Sequence, residues 1–415
     1  MSLERTNLRL GFIALNDCAP LAVAKEKGIF EAEGLSVELS REASWANIRD
    51  KVAMGALDGA HMLGPMPLAV GLGVCGEPTR MIAPLSLNLN GSAITVSRRL
   101  ADAMRAIDPG GMAQRPRSAR ALAQVIAERK AAGEAPLIFA VVFPFSVHNY
   151  ELRYWLAEAG IDPDADLRIV VTPPARMAAR LAAGDIDGFC VGAPWNALAV
   201  AEGQGEILAY AAELWRVGPD KVFGMTEAFA DRNPATLRAT LRALIRAAVW
   251  ADEPGNRAEL AAILAHGRYV DAPEEVVARS LTGAPPYAPG EAGPEDQDYI
   301  IYHRYAASFP WRSHAVWFLT QMLRWGQIGP GADIGAVAEA VYRPDLYRAA
   351  AAELGVPAPL VDEKVEGLHA SPWTLDEATA PIPMAPDLFF DGGRFDAAQP
   401  ERYAAGFAIG RFRSS

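Results

Sequence analysis

The sequence is poor in cysteine and histidine, and it contains no long uncharged apolar run. Its three cysteines, Cys18, Cys75 and Cys190, are odd in number and widely spaced. This spacing excludes a disulfide framework and a paired-cysteine metal site. They read as small buried hydrophobes of a reducing compartment. The six histidines, His61, His148, His266, His303, His314 and His369, show no metal-ligand spacing among themselves or with the cysteines, so no metal is expected. The two in HRYAASFPWRSH read as part of a helix face packed around Phe309, Trp311 and Trp317.

No window approaches the roughly 18 continuous apolar residues of a membrane span, and no lipidation motif is present. Residues 1 to 12, MSLERTNLRLGF, lack the basic region, apolar region and cleavage site of a secretory signal. The chain as written therefore reads as cytoplasmic, or as periplasmic if a signal has been removed. Positive charge is not in excess either: 39 Lys and Arg stand against 50 Asp and Glu, a formal net charge of −11. Direct nucleic-acid binding is excluded on that ground, although local geometry still permits a small anion. G-x-S-x-G, Walker A, post-strand G-x-G-x-x-G and H-E-x-x-H signatures are all missing, which points away from an enzyme. No cofactor is expected.

What is present is an alternation of strand and helix patterns in a chain long enough for two or more domains. NLRLGFIA predicts a strand, APLAVAKEKGIFEAEGL a helix stopped near Gly28 and Gly34, and LSVELS a second strand. ANIRDKVAMGALDG predicts a helix with apolar positions Ile48, Val52, Met54 and Leu57, and AHMLGPMP a short buried strand. Strand, helix, strand, helix, strand is the pattern of an α/β unit with a parallel sheet. The stretch 98 to 133 predicts helix interrupted by a surface loop at DPGGMAQRPRS, and 225 onward is mostly helical.

GALDGAHMLGPMP (55 to 67) and GDIDGFCVGAPW (184 to 195) share a helix end, an Asp-Gly turn, a buried strand and a Gly/Pro loop. The repeat predicts two similar lobes, with ligand outside the carboxyl ends of the strands. Short helix-to-strand connections can also resemble each other by chance, because Gly and Asp dominate such turns.

Four positions lie where a loop leaves a strand for a helix or enters a turn: Trp45 in REASWANIRD, Ser92 in NLNGSAITV, His148 in FPFSVHNYEL and Lys221 in GPDKVFGM. Singly, Trp45 reads as a core or interface aromatic, His148 as a helix-start surface or packing histidine and Lys221 as solvated surface. Together they are hydrogen-bond donors without a carboxylate among them, a set suited to a small planar anion near helix N-termini. Ser44 is the expected N-cap before Trp45, and Arg49 reads as a structural charge.

LRLGFIALNDCAPLAVAKEKGIFEAEGLSVELSREASWANIRDKVAMGALDGAHMLGPMP, LNLNGSAITV, HNYELRYWLAEAGI, GFCVGAPWN and LWRVGPDKVFGMTEAFADRNP together resemble the nitrate- and bicarbonate-binding proteins of ABC transporters, the NrtA/CmpA family. The likeness runs from about residue 7 to about 330. It implies an α/β architecture of the type II periplasmic-binding-protein fold, two α/β lobes around a cleft with a helical C-terminal part. Residues 1–95 would form the first segment of lobe I and 96–218 lobe II. Residues 219–355 would return to lobe I with added helices, and 356–415 would be a tail wrapping the surface without a core of its own.

Carried over by motif, the family's ligand contacts fall on Trp45, His148 and Lys221, with Gly192 and Pro194 in the G-A-P-W-N turn. Ser92 stands where the transporter proteins commonly have glutamine. Bicarbonate-binding members place a carboxylate at the position of Lys221 and use it with calcium, whereas an ammonium favours nitrate or nitrite, which only accept hydrogen bonds. With no secretory signal, the resemblance is to cytoplasmic sensors of the NasS type. It then implies a NasT-like RNA-binding antiterminator as partner, released when the anion binds. The alternatives are a solute-binding subunit of a nitrate importer and an enzyme like the thiamine-pyrimidine synthases, which share the fold.

Overall fold

Alternation in NLRLGF produces the first strand, β1 (Asn7–Phe12), which buries Leu8, Leu10 and Phe12. In the computed structural model, which describes residues 2–294 and 298–413, it is followed by β2 (Ser36–Arg41), β3 (Gly59–Leu63) and β4 (Met81–Asn90). The next five strands are β5 (Ser92–Ser97), β6 (Ile138–Val141), β7 (Arg168–Val171), β8 (Gly188–Gly192) and β9 (Gly205–Tyr210). The chain then adds β10 (Pro219–Thr226) and β11 (Ile300–Ile301). One sheet has the order β11-β4-β10-β3-β1-β2 and the other β7-β6-β8-β5-β9. Each sheet is packed by helices, so the expected two α/β lobes of the type II periplasmic-binding-protein fold are present. Among the described residues no helix is long and apolar enough to cross a membrane.

The chain leaves the first sheet at Gly91, earlier than the expected boundary at residue 95. Asn90 and Gly91 both have positive φ, 57° and 92°. A β-carbon at Gly91 would stand 2.9 Å from Ile300 Cδ1, so this crossing needs glycine. The chain returns between Tyr210 and Pro219, and β10 inserts antiparallel between β3 and β4.

The two Asp-Gly segments occupy equivalent places. β3 is parallel to β1 and antiparallel to β10, while β8 is parallel to β6 and antiparallel to β5. In lobe I, Asp58 Oδ2 accepts the Arg9 amide at 2.8 Å, and the Asp58 amide donates to the Arg9 carbonyl at 2.8 Å. In lobe II, Asp187 Oδ2 accepts the Ile138 amide at 2.9 Å, and the Asp187 amide donates to the Ile138 carbonyl at 2.7 Å. Each aspartate thus completes the ladder of the neighbouring strand just before its own strand begins, which is why this residue recurs.

Three expectations need correction. Met54 is 83% exposed instead of lying on the buried face. It follows the last turn of the helix Trp45–Ala53, whose face through Ile48 and Val52 it does not share. DPGGMAQRPRS is not merely a surface loop: it holds a short helix, Pro109–Ala113, and buries Arg117. Arg117 donates to the carbonyls of Met112 (2.8 Å) and Ile207 (2.7 Å) and pairs with Glu206 (3.2 Å). The stretch after 355, expected to wrap the surface without a core of its own, plants Phe389 and Phe395 in the main core and buries Glu366. Ser313 donates to Glu366 at 2.7 Å, and Phe389 stacks on Trp215 at 4.6 Å.

Candidate functional site

Ser44 caps the helix Trp45–Ala53 by accepting the Asn47 amide at 3.2 Å, as its sequence position predicts. That cap turns Trp45 into the first residue of the helix and directs it inward, where it is 1% exposed. Arg49, one turn on, bonds Asp50 and the Cys75 carbonyl and is structural. In lobe II, Ser146 caps the helix Val147–Glu158 in the same way, accepting the Asn149 amide at 3.1 Å, and His148 is fully buried in its first turn.

Lys221, on β10, is also fully buried. Its Nζ lies 5.8 Å from the centroid of the Trp45 ring, and the Trp45 ring meets His61 edge-on at 5.1 Å. The lobes touch at this point. A β-carbon on Gly192, the last residue of β8, would stand 3.2 Å from Asp17 Oδ2 and 3.6 Å from His148 Nε2. Trp195 Nε1 donates to the Ala14 carbonyl at 3.0 Å and the Asn16 amide to the Ala193 carbonyl at 2.9 Å, joining the loop after β1 to the Gly/Pro turn of lobe II. Glycine at 192 lets the strand end approach the charged cluster, and Pro194 ends that turn ahead of the helix Trp195–Ala201.

The carboxylate-free donor set expected from the sequence is not what folds. Lys221 Nζ is 2.8 Å from Asp17 Oδ2 and 2.6 Å from Asp220 Oδ1, and both aspartates are buried. Burial alone would depress the lysine, but the two carboxylates outweigh it and raise its pKa, so it stays charged. Burial pushes Asp17 upward, yet Lys221 and His61 hold it well below the usual carboxylate range. Asp220 goes the other way, raised to about 6 by burial, with Asp17 adding to the rise and Lys221 opposing it.

His61 Nε2 lies 2.9 Å from Asp17 Oδ1, close but not aligned as a hydrogen bond. The Ile13 amide donates to His61 Nδ1 at 3.4 Å, which leaves the ring proton on Nε2, facing the carboxylate. Burial holds both His61 and His148 below the ordinary histidine range, and the charge of Lys221 adds to the effect on each. Neutral imidazole is therefore the resting form of both.

Ser92, first in β5, is buried but does not offer a free donor. Its hydroxyl donates to Glu151 Oε2 at 2.6 Å, and the Cys190 thiol approaches the same oxygen at 3.9 Å. Burial raises Glu151 to about 8, even though the Ser92 bond favours its ionised form. Sequence reasoning missed Asp17, His61, Glu151 and Asp220. Two signals were available: Asp17 in the N-D-C-A-P loop at the carboxyl end of β1, and Asp220 next to Lys221.

Several buried polar atoms around this cluster have no hydrogen-bond partner among the described residues: Trp45 Nε1, both ring nitrogens of His148, and both side-chain ends of Asn16. Leaving such a group unpaired costs about 1–3 kcal/mol. Unpartnered buried polar atoms are uncommon in a fold, and a group of them calls for a partner outside the chain. Among the described residues, no group of three or more His, Cys, Asp or Glu has the geometry to hold a metal ion.

With this geometry in view, the likeness to known proteins is informative. The NMT1-like family matches residues 2–265. The nitrate/nitrite binding protein NrtA of a Synechocystis species is 34% identical over 410 residues, 96% of this chain and 84% of NrtA. The bicarbonate transport ATP-binding protein CmpC of Synechococcus elongatus is 34% identical over 99% of this chain, which spans only 56% of CmpC. The crystal structure of the periplasmic nitrate-binding protein NrtA from Synechocystis superposes with a TM-score of 0.86 at 33% identity, covering 99% of this chain and 100% of that one. The chain therefore belongs to the NMT1-like family and, within it, to the NrtA family.

Proposed function

We propose that this protein binds nitrate or nitrite between its two lobes and serves as the solute-binding component of an importer. The observation that carries the reading is the set of buried, unpartnered donors around a permanently charged lysine: Trp45 Nε1 and His148 beside Lys221. An ion that only accepts hydrogen bonds completes such a set. Gly192 brings the lobe II strand end close enough for both lobes to contact one small ligand. Trp45, His148, Lys221 and Gly192 are the proposed contacts, while Ser92 and Pro194 shape the wall.

A binding role is favoured over an enzymatic one by the state of the nucleophiles. Burial pushes the Cys18 and Cys190 thiols well above the usual range, away from reactive thiolate. Lys221 is raised and doubly ion-paired, the opposite of the depressed lysine that forms Schiff bases. This argues against the pyrimidine-synthase-like alternative. The relatives described are transport proteins, so the importer reading takes precedence over that of a cytoplasmic sensor holding a NasT-like antiterminator.

Titrating the purified chain with nitrate, nitrite and bicarbonate, with and without calcium, tests the proposal. Saturable quenching of tryptophan fluorescence by nitrate or nitrite, lost in Trp45→Phe, is expected. Binding of bicarbonate alone, and only with calcium, would overturn it. Co-purification with an antiterminator that nitrate displaces would restore the sensor reading.

A further inference from the structure

The charges around Lys221 do not balance once an anion is added. One ammonium stands between two carboxylates, at 2.8 Å and 2.6 Å, with all three groups buried. With both aspartates ionised the triad carries a formal charge of −1, and a monovalent anion would bring it to −2 in a site closed to water. Like charges at such separations disfavour each other strongly when desolvated. Anion binding at this cluster needs a compensating positive charge.

The neighbours limit where that charge can come from. His148 and His61 face the cluster from the lobe II helix and from β3; burial, with Lys221 adding to it, outweighs the opposite pull of Asp17 and opposes protonation of each. Asp17, in the loop after β1, is held ionised by Lys221 and His61. Glu151, from the lobe II helix, already retains its proton at neutral pH. Cys190 on β8 and Tyr299 ahead of β11 also sense the charge of Asp220, and both are held protonated by burial.

Asp220 remains. Its Oδ2 is buried without a hydrogen-bond partner, on the carboxylate whose other oxygen is held by Lys221 at 2.6 Å. A buried carboxylate oxygen that accepts no hydrogen bond leaves room for one proton.

We infer that the anion is taken up together with one proton, which Asp220 carries, so that the cleft binds the elements of an acid, H⁺ plus a monovalent oxyanion, and not the bare ion. The inference rests on the anion-binding reading of the same site. By linkage, the proton and the anion strengthen each other's binding by the same factor. Acidic solution favours binding, and affinity falls as pH rises.

The test is calorimetric titration of the full chain with sodium nitrate in buffers of different ionisation enthalpy, repeated between about pH 6 and pH 8.5. Above about pH 7, uptake approaching one proton per nitrate is expected, with affinity falling about tenfold per pH unit. Asp220→Asn should bind nitrate without proton uptake and with an affinity that no longer follows pH. Wild-type binding without proton exchange overturns the inference while leaving the nitrate reading intact. Uptake that persists in Asp220→Asn overturns the assignment to Asp220. Failure of nitrate and nitrite to bind the wild-type chain at any pH overturns the nitrate reading, and the inference with it. The wild-type measurement stands alone if the variant does not fold.

Discussion

Lys221 and Asp17 form a fully buried ion pair, 2.8 Å from Nζ to Oδ2, between the strand that returns to lobe I and the loop that follows the first strand of the chain. Breaking a buried pair by removing one member leaves an uncompensated charge, at a cost of about 3–5 kcal/mol. Lys221→Met should lower unfolding stability by about that amount near neutral pH and abolish anion binding. Urea denaturation followed at several pH values checks this: the loss should shrink in acid, as Asp220 and then Asp17 take up protons.

Gly192→Ala tests how closely the lobes must approach. The new methyl would sit 3.2 Å from Asp17 Oδ2 and 3.4 Å from Leu15 Cδ2. Overpacking of this kind costs about 1–3 kcal/mol, felt only when the lobes are together. Nitrate affinity should fall about tenfold or more while the melting temperature changes little.

Trp195→Phe keeps an aromatic ring but removes the indole donor that reaches the Ala14 carbonyl at 3.0 Å. A lost hydrogen bond between lobes is worth about 1 kcal/mol, or about fivefold in the closing equilibrium. Weaker nitrate binding of that size, with a larger radius of gyration by small-angle scattering in the absence of ligand, is the expected pair of results.

Glu151 makes stability depend on pH in a defined direction. Burial raises its folded pKa to about 8, above the ordinary carboxylate value, so the fold holds a proton that the unfolded chain releases. Stability should therefore fall as pH rises from about 4.5 to about 8 and change no further from this group above that. Glu151→Gln should be more stable than wild type by a few kcal/mol above pH 8 and nearly equal to it below pH 5, as thermal melts across that range would show.

Asp187→Ala should cost about 1–3 kcal/mol, because the Ile138 amide, now held at 2.9 Å, loses its acceptor. Hydrogen exchange should show the loss concentrated in β6 and β8, with β1 and β3 unaffected.

The parts of this molecule that were legible in the sequence are those fixed by local pattern. Ser44 announces the helix start that carries Trp45 inward, and the twin Asp-Gly segments announce two lobes. The carboxylates around Lys221 were not legible, because they are brought together by pairing distant in sequence. β10 inserts between β3 and β4, and only that insertion sets Asp220 and Lys221 against Asp17 and His61. A lysine that reads as solvated surface from its neighbours becomes a buried cation once those strands join. Met54 failed for the opposite reason: it caps the helix that ends at Ala53 and lies off the face of Ile48 and Val52, so being apolar did not bury it.

The fastening made by Asp58 in one lobe is made again by Asp187 in the other, atom for atom. Each sheet therefore sets its own strand register without help from its counterpart, while His148 nears the charged cluster of lobe I only where both meet. Ligand preference in such a protein can drift through changes at the seam, since neither half relies on the seam to hold its own strands in place.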